Sequence, residues 1–157
     1  MIFLSQLAGA NAPVPDQQQT LNIDADATLF DFQKGLDTYT GHVKIIQGSS
    51  KILADRMTTQ KNAQHKISVI ICYGDQQPAN YWTTPKAGDK QIHASAHIIK
   101  FYPLKSLVKL DGNVIIQQGD NSFHGASIIY DLNKQIVSAP ANPKQPSTII
   151  IQPTQLQ

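Results

Sequence analysis

From Leu21 onward, apolar residues recur two apart in short runs: Leu21-Ile23-Ala25, Val43-Ile45, Ile67-Val69-Ile71-Tyr73, Val108-Leu110 and Val114-Ile116. A period of two puts such residues on one face of a strand, so each run predicts a β-strand with those side chains inward. Between the runs stand Lys34-Gly35, Gln47-Gly48, Gly74-Asp75, Ala87-Gly88-Asp89, Asp111-Gly112 and Gly119-Asp120-Asn121. These residue types supply the positive φ or the side-chain-to-backbone bonds that turns need. Few stretches would sustain a helical stripe, and the pattern predicts an all-β chain. Near the end, Pro140, Pro143 and Pro146 forbid ladder pairing across 139–147, and Thr148-Ile149-Ile150-Ile151 then resumes as a strand.

The chain also repeats itself. Ile23-Asp24-Ala25-Asp26-Ala27 is followed by Phe32, then Tyr39-Thr40-Gly41-His42-Val43, then Gln47-Gly48. Ile92-His93-Ala94-Ser95-Ala96 is followed by Phe101, then Leu110-Asp111-Gly112-Asn113-Val114, then Gln118-Gly119. Ile52-Leu53-Ala54 matches Phe123-His124-Gly125 in the same order. Units this short cannot bury an apolar face alone. Stacked rung on rung they form one continuous core, which predicts an elongated sandwich of two similar halves.

Composition narrows the reading further. At 157 residues and 41% hydrophobic the chain fills one sizeable core, not two. Ile, Val and Thr make up 35 residues and no Glu is present, which favours strands over helices. A net charge of +2 gives no field strong enough to predict a nucleic-acid partner. The opening MIFLSQLAGANAPVP is apolar and then small, in the manner of a secretory signal that lacks its basic start. We therefore expect 1–20 to be a signal remnant or a disordered arm, and 21–157 to be one domain. The single cysteine, Cys72, lies in a strand-like run and reads as buried and structural.

Candidate chemistry is thin. His93 and His97 have the spacing of two helical metal ligands, but on a strand they would stand roughly 13 Å apart and share no ion. No G-x-S-x-G turn and no glycine-rich phosphate loop occurs. Asp24 and Asp26, the nearest thing to a paired carboxylate, read as surface residues on an edge strand. No catalytic residue, metal site or cofactor is predicted. What remains is the apolar stripe, which is either filled core or, since small residues recur at Ala25, Ala54, Ala94 and Gly125, the lining of a groove.

The stretch Gly41-His42-Val43 through Gln47-Gly48 to Ile52-Leu53-Ala54-Asp55 resembles the LptA, or OstA-like, family of periplasmic lipopolysaccharide-transport proteins. So do Tyr73-Gly74 with Pro78-Ala79, His93-Ala94-Ser95, Leu110-Asp111-Gly112-Asn113-Val114, Gln117-Gln118 and the terminal Pro153-Thr154-Gln155-Leu156-Gln157. The resemblance implies an elongated, twisted, slightly V-shaped β-jellyroll whose interior holds the acyl chains of lipid A. It implies a periplasmic conduit and no enzyme. Leu21, Ile23, Tyr81 and Phe101 match lipid-contacting positions of that family, alternation adds Ile45, Ile52 and Ile116, and Lys61 matches a rim position facing phosphate.

Open strand edges predict head-to-tail joining through Ala25 at one end and Ile149, Ile150 and Ile151 at the other. The implied partners are lipopolysaccharide, further copies of the chain, an inner-membrane-anchored LptC-like domain and the N-terminal domain of an LptD-like outer-membrane translocon. Two other classes fit the residues. One is a glycan-binding or hydrolysing β-sandwich using Tyr81-Trp82 as an aromatic platform, and the other is a fully packed assembly module.

Overall fold

The computed structural model describes residues 16–153. Its strands are β1 (Asn22–Asp24), β2 (Ala27–Asp31), β3 (Leu36–Gln47), β4 (Ser50–Lys61), β5 (Ile67–Tyr73) and β6 (Ala79–Thr83). The second half supplies β7 (Ile92–Ala96), β8 (Ile98–Tyr102), β9 (Leu107–Gln118), β10 (Asn121–Asp131), β11 (Ile136–Ser138) and β12 (Thr148–Ile150). Two 3-10 turns, Asp16–Gln18 and Pro103–Lys105, complete the elements. All strand pairs are antiparallel.

Four long strands carry the architecture. One end of β3 pairs with β1 and the other with β2, and β4 likewise pairs with β6 and β5. In the second half β9 pairs with β7 and β8, and β10 with β12 and β11. The result is two layers that share the long strands. The first runs β1-β3-β4-β6-β7-β9-β10-β12 and the second β2-β3-β4-β5-β8-β9-β10-β11. The expected two-halved β-jellyroll is therefore present, with β1 and β2 as edges at one end and β11 and β12 at the other.

The fold line between the layers has a local cause. In β3 one extra residue enters between Thr40 and Val43, opposite Ala54 and Arg56, and in β9 the same happens opposite Gly125 and Ser127. Gly41 and His42 (φ 80° and 45°) and Gly112 and Asn113 (φ 83° and 47°) take left-handed backbone at these bulges. An extra residue bends a strand without ending it. The turn expected at Asp111-Gly112 is thus a bulge inside one continuous strand, because β10 pairs across it. Asp26 and His97, the residues at the breaks between β1 and β2 and between β7 and β8, donate backbone N–H to the bulge carbonyls of Gly41 and Gly112.

Side chains at the fold line are small. Val43, Ala54, Ala79, Ala96, Val114 and Gly125 lie there, and Val43, Ala79, Ala96 and Val114 are at most 1% exposed. At this line Ala54 lies opposite Val43 and Gly125 opposite Val114, and a Cβ at Gly125 would meet the Phe123 ring. Beyond them the second layer is lined by Met57, Cys72, Ile99, Leu110 and Ile128, all buried. On β5 the fully buried residues are Ile70 and Cys72, where the alternation predicted Ile67, Val69, Ile71 and Tyr73; of those four, Ile67, beyond the bulge at Gln60 and Lys61, does pack on the core. The strand is apolar on both faces, so its register against Thr59 and Met57 decides the matter.

Candidate functional site

Toward the rims, away from the fold line, the layers enclose a cavity of about 710 Å³. Leu21, Ile45, Ile52, Tyr81 and Phe101 line it, five of the seven residues expected to meet lipid, together with Ile70, Ile99 and Val108. The other two, Ile23 and Ile116, pack against the core outside this lining. Strand register explains how these residues meet. Ile23 lies opposite Ile45, Ile45 opposite Ile52, Ile52 opposite Tyr81 and Tyr81 opposite Ala94. The series continues through Ile116 and Phe123 to Ile149. One apolar row therefore crosses all eight strands of the first layer, and at about 4.8 Å per strand it spans roughly 34 Å. Its last member, Ile149, is 66% exposed on the edge strand.

The mouth of the cavity is polar. Asp16 accepts hydrogen bonds from the Ser49 N–H (2.8 Å), the Ser49 hydroxyl (2.7 Å) and the Ser50 hydroxyl (2.6 Å). Ser50 Oγ in turn lies 3.0 Å from Thr83 Oγ1. Both hydroxyls reach the Tyr81 phenol, whose pKa burial nonetheless pushes up. Of the segment expected as a free arm, residues 16–20 are thus described and the first is tied to the β3–β4 turn. The Gln47 side chain also donates to the Gln19 carbonyl at 3.1 Å. Residues 1–15, where the signal remnant was expected, and 154–157 of the terminal motif lie outside the described residues.

Lys61 does not line this cavity. Its ammonium lies 3.6 Å from the Asp37 carboxylate, which is 5% exposed and also accepts a hydrogen bond from Thr59. The cation at the mouth is Lys86, on the loop after β6, which carried no signal in the sequence. Ala25 is half-buried at the break between β1 and β2, whereas Ile149, Ile150 and Ile151 are exposed at the opposite end. Exposed apolar residues concentrate at both edges: Leu29 and Phe30 on β2, and Ile136 and Val137 on β11.

The remaining candidates sit elsewhere. Cys72 is buried, and burial pushes its thiol up to about 12, so it stays protonated and unreactive. His93 stacks on Trp82 at 4.7 Å between ring centroids, and His97 lies 3.1 Å from the Asn113 amide. Asp24 meets Lys44 at 3.4 Å, and Asp26 meets His42 Nδ1 at 2.6 Å. Trp82 points outward, opposite to Tyr81. Its cross-strand neighbours already engage the ring, His93 by stacking and Lys51 with its ammonium 5.3 Å from the centroid.

Comparison with known proteins agrees with this geometry. Residues 22–136 match the family described as the LptA/(LptD N-terminal domain) LPS transport protein. The chain is 30% identical over 162 residues to the lipopolysaccharide export system protein LptA of Escherichia coli K12, covering all of this chain and 86% of that protein. It is 32% identical over 126 residues to the export protein LptH of Pseudomonas aeruginosa, covering 79% of this chain and 70% of that protein. The crystal structure of LptH, described as the LptA-homologous periplasmic component of a lipopolysaccharide transport device, superposes with a TM-score of 0.79 at 27% identity. That match covers 88% of this chain and 99% of LptH. Fold, repeat and sequence together place this chain in the LptA/LptD N-terminal domain family of LPS transport proteins.

Proposed function

We propose that the chain carries lipopolysaccharide across the periplasm, with the acyl chains of lipid A held between its two layers. The observation that carries this reading is the apolar row from Ile23 to Ile149, which flanks the cavity and reaches a strand edge at either end. Each methylene kept from water is worth about 0.8 kcal/mol, so a lipid with several chains moves only where such a surface is continuous. The sugar and phosphate head stays at the polar mouth, where Lys86 supplies positive charge and Lys61 is held by Asp37. No bond is made or broken, and the chain acts as a conduit without catalysis.

Continuity beyond one molecule requires the edges to join. Exposed Leu29 and Phe30 at the β1–β2 end and Ile136, Val137, Ile149 and Ile150 at the β11–β12 end support head-to-tail pairing of copies. Related jellyroll domains, one anchored at the inner membrane and one at the outer-membrane translocon, would cap such a bridge. A photo-crosslinking residue at Phe101, inside, and at Lys100, outside, tests the lipid reading. Ultraviolet adducts with lipopolysaccharide are expected at Phe101 alone. Adducts at neither, in a folded protein, return the interior to ordinary core and favour an assembly module.

A further inference from the structure

The two rims beside the cavity differ in charge. In the second layer four successive turns join β2 to β3, β4 to β5, β8 to β9 and β10 to β11. Each turn contributes one lysine: Lys34, Lys66, Lys105 and Lys134. Neighbouring turns are two strands apart, so these lysines stand in a line with steps of roughly 10 Å. Two of the turns also project an apolar side chain, Phe32 at 85% exposure and Leu104 at 57%. Behind the rim, on the outer face, Lys100 and Lys109 lie directly opposite each other on β8 and β9. Like charges in that position are destabilising unless something negative meets them.

Acids on this side cancel only part of the charge. Asp31 and Asp131 are the two at the rim. Both cap turns, accepting from the Lys34 and Lys134 backbone N–H, and Asp31 also lies 3.6 Å from the Lys34 ammonium. Asp37 is taken by Lys61. Lys105 and Lys109 find only the ring of Tyr102, at 6.0 and 5.5 Å, and no ion pair joins Lys66, Lys100 or Lys134 to an acid among the described residues. The opposite rim is mixed, with Lys86 and Lys90 against Asp16, Asp89 and Asp120.

We propose that the rim of the second layer docks on an anionic phospholipid surface, with Phe32 and Leu104 entering the headgroup region and the turn lysines without an acidic partner, Lys66, Lys105 and Lys134, meeting lipid phosphates. Lysine tips in a line flanked by projecting apolar residues, with no cleft between them, suit a fluid charged plane better than one shaped ligand. Docked this way, the mouth of the cavity, which lies between the rims, faces the bilayer. The inference stands on charge and exposure alone and does not depend on which lipid occupies the interior.

The test is co-sedimentation of the full chain with lipopolysaccharide-free vesicles of phosphatidylethanolamine and phosphatidylglycerol, against vesicles of phosphatidylcholine. Binding is expected to the first, to weaken with added salt, and to be near absent on the second. Each lysine is expected to contribute about fivefold in partition, the equivalent of about 1 kcal/mol. The triple variant Lys66→Gln, Lys105→Gln, Lys134→Gln should then bind about a hundredfold more weakly. The corresponding Arg variant should retain binding, and Lys44→Gln, on the other layer, should bind like the parent. Loss on Phe32→Ser with Leu104→Ser completes the pattern. Equal binding to neutral vesicles, or a Gln triple variant that sediments like the parent, overturns the proposal. Either result leaves the Phe101 crosslink, and the reading it tests, untouched.

Discussion

Truncating two interior side chains distinguishes an open conduit from a filled core. Met57 is wholly buried, and its cross-strand neighbours are Tyr39 and Cys72. Replacing it with Ala removes its transfer energy and leaves a void that the surrounding strands cannot close, so about 3–4 kcal/mol is expected from the range for buried Met. Phe101 is larger, and in a filled core its loss would cost about 3–5 kcal/mol. Here it lines a cavity and is only partly buried, so part of its ring already lacks protein contacts and no new void forms. Phe101→Ala is therefore expected to cost less than Met57→Ala, about 1–2 kcal/mol. Urea unfolding of both variants measures this, with unchanged m-values as the control for two-state behaviour. If Phe101→Ala costs as much as Met57→Ala or more, the interior is packed and the conduit reading fails with it.

Three further outcomes follow from the same geometry. Gly112→Ala places a Cβ 2.7 Å from His97 at φ 83°, whereas Gly88→Ala meets nothing within 4 Å at φ 89°. Both pay about 1–2 kcal/mol for left-handed backbone, so thermal unfolding should show Gly112→Ala clearly the worse, and equal losses would contradict the bulge geometry. The hydrogen bond and charge of Asp26 raise the His42 pKa, so that pair stabilises the fold below the ordinary histidine pKa and the contribution is lost as pH rises through the raised value. Titration by NMR should find the His42 midpoint falling in Asp26→Asn; an unmoved midpoint refutes the pairing. Ile149→Lys, on the β12 edge, should abolish concentration-dependent end-to-end association in light scattering, while Lys44→Gln leaves it intact.

Much of this was legible because local chemistry repeats. Gly41-His42-Val43 and Gly112-Asn113-Val114 mark the two bulges, and a spacing of 71 residues carries one half onto the other. Of the residues chosen by alternation and family likeness, Ile23, Ile45, Ile52, Tyr81 and Ile116 fall on one cross-strand row. Long-range register was not legible. It decides which face of the doubly apolar β5 turns inward, and it brings Lys100 against Lys109. Nor did spacing reveal that Asp37 holds Lys61, or that Asp16 reaches Ser49 and Ser50 more than thirty positions away.

The central claim is a continuous apolar path from edge to edge, and a crosslinking scan along the row tests it most directly. Photo-reactive residues at Ile23, Ile52, Ile116 and Phe123 are compared with outward-facing neighbours at Asp24, Lys51, Ile115 and Ser122, in protein exposed to lipopolysaccharide. Adducts at all four inward positions and none of the outward ones are the expected result. Adducts confined to Ile52, beside the cavity, would leave a closed pocket in place of a path and contradict the account.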